Sequence, residues 1–141
     1  MKQLYTAHAM ASGGGRDKGL TGTDNGKLTF TFATPSEMGG SGKGTNPEEL
    51  FACGYAACYL GAMRFAASRD KLTMPANATV SSAVTLCARD DGAGLALEIE
   101  LKVSMPGIPV ADAEEIIKRG HVVCPYSYSI KGNVKVTTTV V

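Results

Sequence analysis

The run Leu50–Met63 (LFACGYAACYLGAM) limits what this chain can fold into more than any other stretch. It follows Asn46-Pro47-Glu48-Glu49, a strong helix start. Asparagine caps a helix, proline fits the first helical position, and two carboxylates favour the positive end of the dipole. A helix is predicted from Pro47 to about Ser68. Its middle is apolar or small on every side, which marks a buried helix rather than an amphipathic one. Gly54 and Gly61 share roughly one side and let another backbone come close, at about 1 kcal/mol per glycine relative to alanine. A chain of 141 residues has little with which to cover such a helix on all sides. A partner subunit is expected to do part of the covering. The apolar run itself, broken at Arg64 and rich in Ala and Gly, is expected to be too short and too weakly apolar to span a bilayer.

Around this helix the pattern is β-rich. Leu4–Ala11, Leu20–Thr23 and Leu28–Phe32 read as three strands, separated by Gly13-Gly14-Gly15 and by the turn Asp24-Asn25-Gly26. They form a small antiparallel meander. A Gly/Ser/Pro loop spans residues 35–46. Beyond the helix, Ala78–Ala88 and Leu95–Val103 form a hairpin turned at Asp90-Asp91-Gly92, the second strand alternating cleanly. Val110–Val123 has the apolar spacing of an amphipathic helix, and Pro125 ends it. Gly132–Val141 is a last strand. The order βββ, α, ββ, α, β gives an α+β fold rather than a doubly wound sheet, and the length fits one domain over residues 1–141.

Lys+Arg total 14 against 13 Asp+Glu, a net charge of +1. No basic stripe exists for nucleic acid or an anionic membrane. Residues 1–10 lack the apolar core of a signal peptide, so a cytoplasmic protein with reduced thiols is expected. The glycine runs at 13–15 and 39–44 fail the dinucleotide and phosphate-loop spacings. The four cysteines and two histidines form no zinc motif. His121, near a helix end, reads as a helix-terminal or packing residue.

The cysteines divide the chemistry. Cys53 and Cys87 read as buried structural thiols. Cys53 and Cys58 lie about 140° apart around the helix and cannot pair while it is intact. Packing and reactivity both stay open for Cys58. It sits too deep in the helix for the dipole to acidify it, and Arg64 points to another side. A reactive Cys58 needs a cation from the glycine loops, where Arg16, Lys18 and Lys43 stand. Cys124, at a helix C-terminus, should be less acidic and mobile, which suits a resolving thiol better than an attacking one.

Four segments in order, Gly14-Gly15-Arg16-Asp17, Gly44–Ala52 (GTNPEELFA), Gly54-Tyr55-Ala56-Ala57-Cys58 and Val123–Ser127 (VCPYS) with Gly132-Asn133, resemble the organic hydroperoxide resistance proteins, the Ohr branch of the OsmC family. The resemblance runs nearly end to end. It implies an OsmC-like fold in an intertwined homodimer, and a thiol peroxidase that reduces organic hydroperoxides, fatty-acid hydroperoxides included, to alcohols. It implies no bound metal, haem or flavin, and electrons from dihydrolipoyl groups on a lipoylated protein.

By the same resemblance, Cys58 is the peroxidatic and Cys124 the resolving cysteine. Arg16 activates the thiolate, and Glu48 orients Arg16 through a bidentate pair. Phe51, Tyr55, Tyr59, Met38 and Met63 are candidates for an apolar substrate wall. The chain departs from the family pattern at Lys18, where glycine is common, and at Tyr128–Lys131 (YSIK). The alternatives are an OsmC-type peroxidase of broader range, or a sensor or ligand-binding protein that reacts once without turnover.

Overall fold

In the computed structural model, which describes residues Met1–Val141, three short strands pair first. β1 (Ala9–Gly13), β2 (Gly19–Thr23) and β3 (Thr29–Thr31) form an antiparallel sheet in the order β1-β2-β3. The first strand starts at Ala9 rather than at Leu4; residues before it are exposed and outside any strand. The β1–β2 register closes at Gly13↔Gly19, which leaves Gly14–Lys18 as the turn. Gly14 is required there, because a Cβ would lie 1.9 Å from the Asp17 carbonyl oxygen. Lys18 adopts φ 55°, in the left-handed region where glycine costs least.

The chain divides into two compact units, Met1–Leu50 and Phe51–Val141. Helix α1 (Pro47–Arg69) runs across that division in sequence. Asn46 caps it as predicted: its Oδ1 accepts the Glu49 N–H at 2.9 Å. At 23 residues, with mean hydropathy 1.3 in its most apolar window, α1 is long and apolar enough to cross a membrane, against the expectation from the Leu50–Met63 run, because the helix extends that run at both ends. Yet one stripe (Tyr55, Tyr59, Ala62, Met63, Ala67) packs into a hydrophobic core. The opposite side (Cys53, Ala57, Gly61 and Phe65) is uncovered, with Phe65 60% exposed.

The second unit builds that core. β4 (Thr79–Ala88) pairs antiparallel with β5 (Leu95–Ser104), and β5 pairs parallel with β6 (Lys135–Val140). A parallel neighbour needs a crossover, and α2 (Val110–Val123) with α3 (Pro125–Ile130) supplies it. Ile99, Leu101 and Val103 of β5 and Ala113, Ile116 and Ile117 of α2 close on the α1 stripe. Pro125 ends α2 as expected, but it also opens α3, which the proline alone did not reveal.

Candidate functional site

Within the first unit, the segment after β3 braces two loops. Lys18 N–H donates to the Phe32 carbonyl at 3.0 Å, and the Thr34 N–H donates to Asp17 Oδ1 at 3.1 Å. Ala33 N–H donates to the Thr45 carbonyl at 3.0 Å, just ahead of α1. The Arg16 turn and the start of α1 are thus tied to the same backbone. Arg16 Nη2 lies 2.8 Å from Glu48 Oε1 and 2.7 Å from Oε2. One nitrogen bridges both oxygens, rather than two nitrogens meeting them side by side as a bidentate fork would. The Arg16 side chain is 47% exposed and that of Glu48 15%. The pair is expected to be worth less than a buried one but is anchored at both ends. Met38 lines a cleft of about 450 Å³ in this unit with Asp17, Lys18, Thr34 and Gly40.

In the second unit, Cys58 and Cys124 come together from positions 66 residues apart, their Sγ atoms separated by 3.6 Å. Cys124 is fully buried between α2 and α3, not mobile at a loop edge as the sequence suggested. Its N–H donates to the Gly120 carbonyl at 2.8 Å, which closes α2 and holds the residue. Cys58 is half-buried, and both sulfurs are free thiols. Burial pushes the Cys58 thiol up, and the adjacent Cys124 sulfur pushes it further, since two thiols this close cannot both ionise easily. The backbone N–H of Tyr126 pulls the other way. Burial and the neighbouring sulfur thus hold the Cys58 thiol above its ordinary value, which sharpens its need for a cation. Arg64 is not that cation, because its guanidinium is bound to the Pro75 and Ala76 carbonyls at 3.4 and 2.8 Å.

An aromatic cluster is built on α1 and α3, the helices next to the two thiols. Phe51 meets Tyr55 edge-on at 6.0 Å between centroids and Tyr126 at 5.7 Å. Tyr126 approaches α1 over Gly54, where a Cβ would stand 3.0 Å from its hydroxyl. Tyr55, Tyr59 and Met63 are wholly enclosed, so of the second unit's wall candidates only Phe51 has any exposed surface. Cys53 is exposed, against the reading of a buried thiol, because it lies off the α1 stripe that faces the core. Cys87 is half-buried on β4, opposite Ala96.

His121 stands in the last turn of α2 and packs on the Tyr59 ring, 4.5 Å between centroids, as its sequence position predicts, while Tyr126 and Ser127 carry no sequence signal beyond their place in the VCPYS motif. Ser127 Oγ lies 2.9 Å from Tyr55 Oη and 3.0 Å from His121 Nδ1, and His121 Nε2 lies 2.9 Å from Thr138 Oγ1.

Two thiols in contact on an α+β scaffold mark a candidate thiol redox site. Residues 40–139 match the family described as OsmC-like protein. The chain is 43% identical over 139 residues to an organic hydroperoxide resistance protein of Xanthomonas axonopodis pv. citri, a match covering 98% of this chain and 95% of that one. The crystal structure of an organic hydroperoxide resistance protein from Legionella pneumophila superposes with a TM-score of 0.91 at 40% identity, covering 99% of this chain and 98% of that one. That of OhrB from Bacillus subtilis gives 0.88 at 32% identity, covering 99% and 100%. The chain belongs to the OsmC/Ohr family, among the organic hydroperoxide resistance proteins.

Proposed function

We propose that this protein is a thiol peroxidase that reduces organic hydroperoxides, fatty-acid hydroperoxides included, to alcohols in the cytoplasm. The observation that carries the reading is the 3.6 Å contact between the Cys58 and Cys124 sulfurs. Cys58 thiolate attacks the distal oxygen of the O–O bond. That bond breaks, the hydroxyl stays on sulfur as sulfenic acid, and the alkoxide leaves and takes up the proton the thiol had lost. Cys124 thiol then displaces the hydroxyl as water, forming the disulfide. A dihydrolipoyl group of a lipoylated protein reopens it by exchange, restoring two thiols and leaving its own disulfide behind.

Arg16 is the cation proposed for Cys58, lowering its pKa and stabilising the leaving alkoxide. Glu48 holds that guanidinium, as their double contact supports. Met38 in the first unit and partly exposed Phe51 in the second are each proposed to offer apolar surface to the alkyl chain, with Tyr55, Tyr59 and Met63 in the core against which Phe51 packs. A homodimer is part of the proposal. It would cover the free sides of α1, together with Leu20, Leu28 and Met10, which are 49%, 51% and 73% exposed. No bound cofactor enters the cycle.

The test is multiple turnover of cumene hydroperoxide with dihydrolipoamide as reductant, set beside a fatty-acid hydroperoxide and hydrogen peroxide. Sustained turnover that favours the organic substrates, abolished in Cys58→Ser, is the expected result. A single equivalent consumed before the reaction stops would make the protein a sensor instead. Equal rates on hydrogen peroxide would make it a broader OsmC-type peroxidase.

A further inference from the structure

Ser127 is the one polar residue buried in the chain, at 8% exposure. It sits in α3, whose other side chains, apart from half-buried Ile130, are exposed. Through Tyr55, Ser127, His121 and Thr138 a single line of hydrogen bonds joins α1, α3, α2 and β6. The His121 ring also packs on Tyr59, 4.5 Å between centroids. A neutral imidazole donates at one nitrogen and accepts at the other. The line is satisfied in either direction, and no member is left without a partner.

We propose that His121 and Ser127 are positioning residues that set the approach of Cys124 to Cys58. The inference rests on the peroxidase reading and deepens it. Cys124 immediately precedes α3, and the Tyr128 N–H donates back to the Cys124 carbonyl at 2.9 Å, so the thiol and the short helix move together. Ser127 is the buried polar anchor of that helix, and His121 holds Ser127 from the neighbouring turn of α2. The step this controls is closure: the sulfurs at 3.6 Å must reach a disulfide bond length of about 2.05 Å. In that step Cys58 sulfenic acid and Cys124 thiol become the disulfide and water, the thiol proton leaving with the hydroxyl. A sulfenic acid that waits for Cys124 is open to a second hydroperoxide, which takes it to sulfinic acid and a second alcohol.

The ratio of disulfide to sulfinic acid therefore reports the position of Cys124 directly. The ratio is read on the folded fraction isolated by size-exclusion chromatography, so misfolded molecules, whose separated thiols over-oxidise, do not enter it. Each protein is treated with a fixed excess of cumene hydroperoxide without reductant, and the two products are quantified by intact mass. Ser127→Ala and His121→Leu cut the line at adjacent points, and each is expected to shift the ratio toward sulfinic acid by roughly tenfold. His121→Asn keeps an amide near the Nδ1 position and is expected to restore most of the ratio. A wild-type ratio in both Ser127→Ala and His121→Leu overturns the inference while leaving the peroxidase intact. Absence of any Cys58–Cys124 disulfide in the wild-type protein overturns the peroxidase reading itself. Where Ser127→Ala gives little folded protein, His121→Leu against His121→Asn decides the matter alone.

Discussion

Cys58 and Cys124 face each other across 3.6 Å, one half-buried and the other with no exposed surface. The asymmetry assigns their order of action. The half-buried thiol can meet a substrate, and the enclosed one can only meet its neighbour. Cys124→Ser should therefore release one equivalent of alcohol from cumene hydroperoxide as the sulfenic acid forms, a second under excess oxidant as Cys58 goes on to sulfinic acid, and then stop. Mass spectrometry of the treated variant checks this. Continued turnover with dihydrolipoamide would remove Cys124 from the cycle.

The Arg16–Glu48 contact makes a graded prediction. Charge-assisted hydrogen bonds contribute about 1.5–3 kcal/mol, so losing one at the reacting sulfur should cost about 10- to 100-fold in rate. Arg16→Ala should also raise the Cys58 thiol pKa, because the proposed cation would no longer offset the burial that pushes that thiol up. Glu48→Gln keeps the guanidinium but loosens its aim, and a smaller loss in rate is expected. The pH dependence of iodoacetamide alkylation reads the first effect, and an unchanged curve in Arg16→Ala would strike Arg16 from the mechanism.

Parts of this architecture can be read from the residues and parts cannot, for reasons that differ by element. The start of α1 is local chemistry, and Asn46 caps it where the pattern places the cap. Which side of α1 faces the core is not local. A helix apolar all round has no directional bias, so exposed Cys53 and buried Tyr55 look alike in sequence. Pro125 carries two meanings, stop and first helical residue, and both apply here. His121 finds its partners on α3 and β6, six and seventeen residues away. The Arg16–Glu48 pair, separated by 32 residues, is reachable from sequence only through family resemblance.

Gly54 separates stability from function. A methyl group there would stand 3.0 Å from the Tyr126 hydroxyl and 3.3 Å from its ring, so the tyrosine must swing away. Tyr126 is 39% exposed and can do so. Gly54→Ala should gain up to about 1 kcal/mol of helix propensity, offset in part by lost ring contact with Phe51. The expected outcome is an unchanged or higher melting temperature with turnover of cumene hydroperoxide reduced several-fold. A fall in both together would mean that Tyr126 cannot move and that the glycine serves packing alone.

Acid stability should show two separate losses. Burial holds the His121 imidazole below its ordinary value of 6.5. The unfolded chain then takes up a proton before the folded one does, so this contribution is whole above about pH 6.5 and is lost as the pH falls toward the depressed folded value. Asp70, gripped by Arg69 and Arg119, is held well below its ordinary 3.8. Its contribution has the same sign but survives to lower pH, and it fades only beneath about 3.8. Urea midpoints measured from pH 8 downward should fall first in the His121 window and again in strong acid. His121→Asn should flatten the first decline and leave the second, while Asp70→Asn should do the reverse. A first decline that persists undiminished in His121→Asn would show that some other group governs stability near neutral pH.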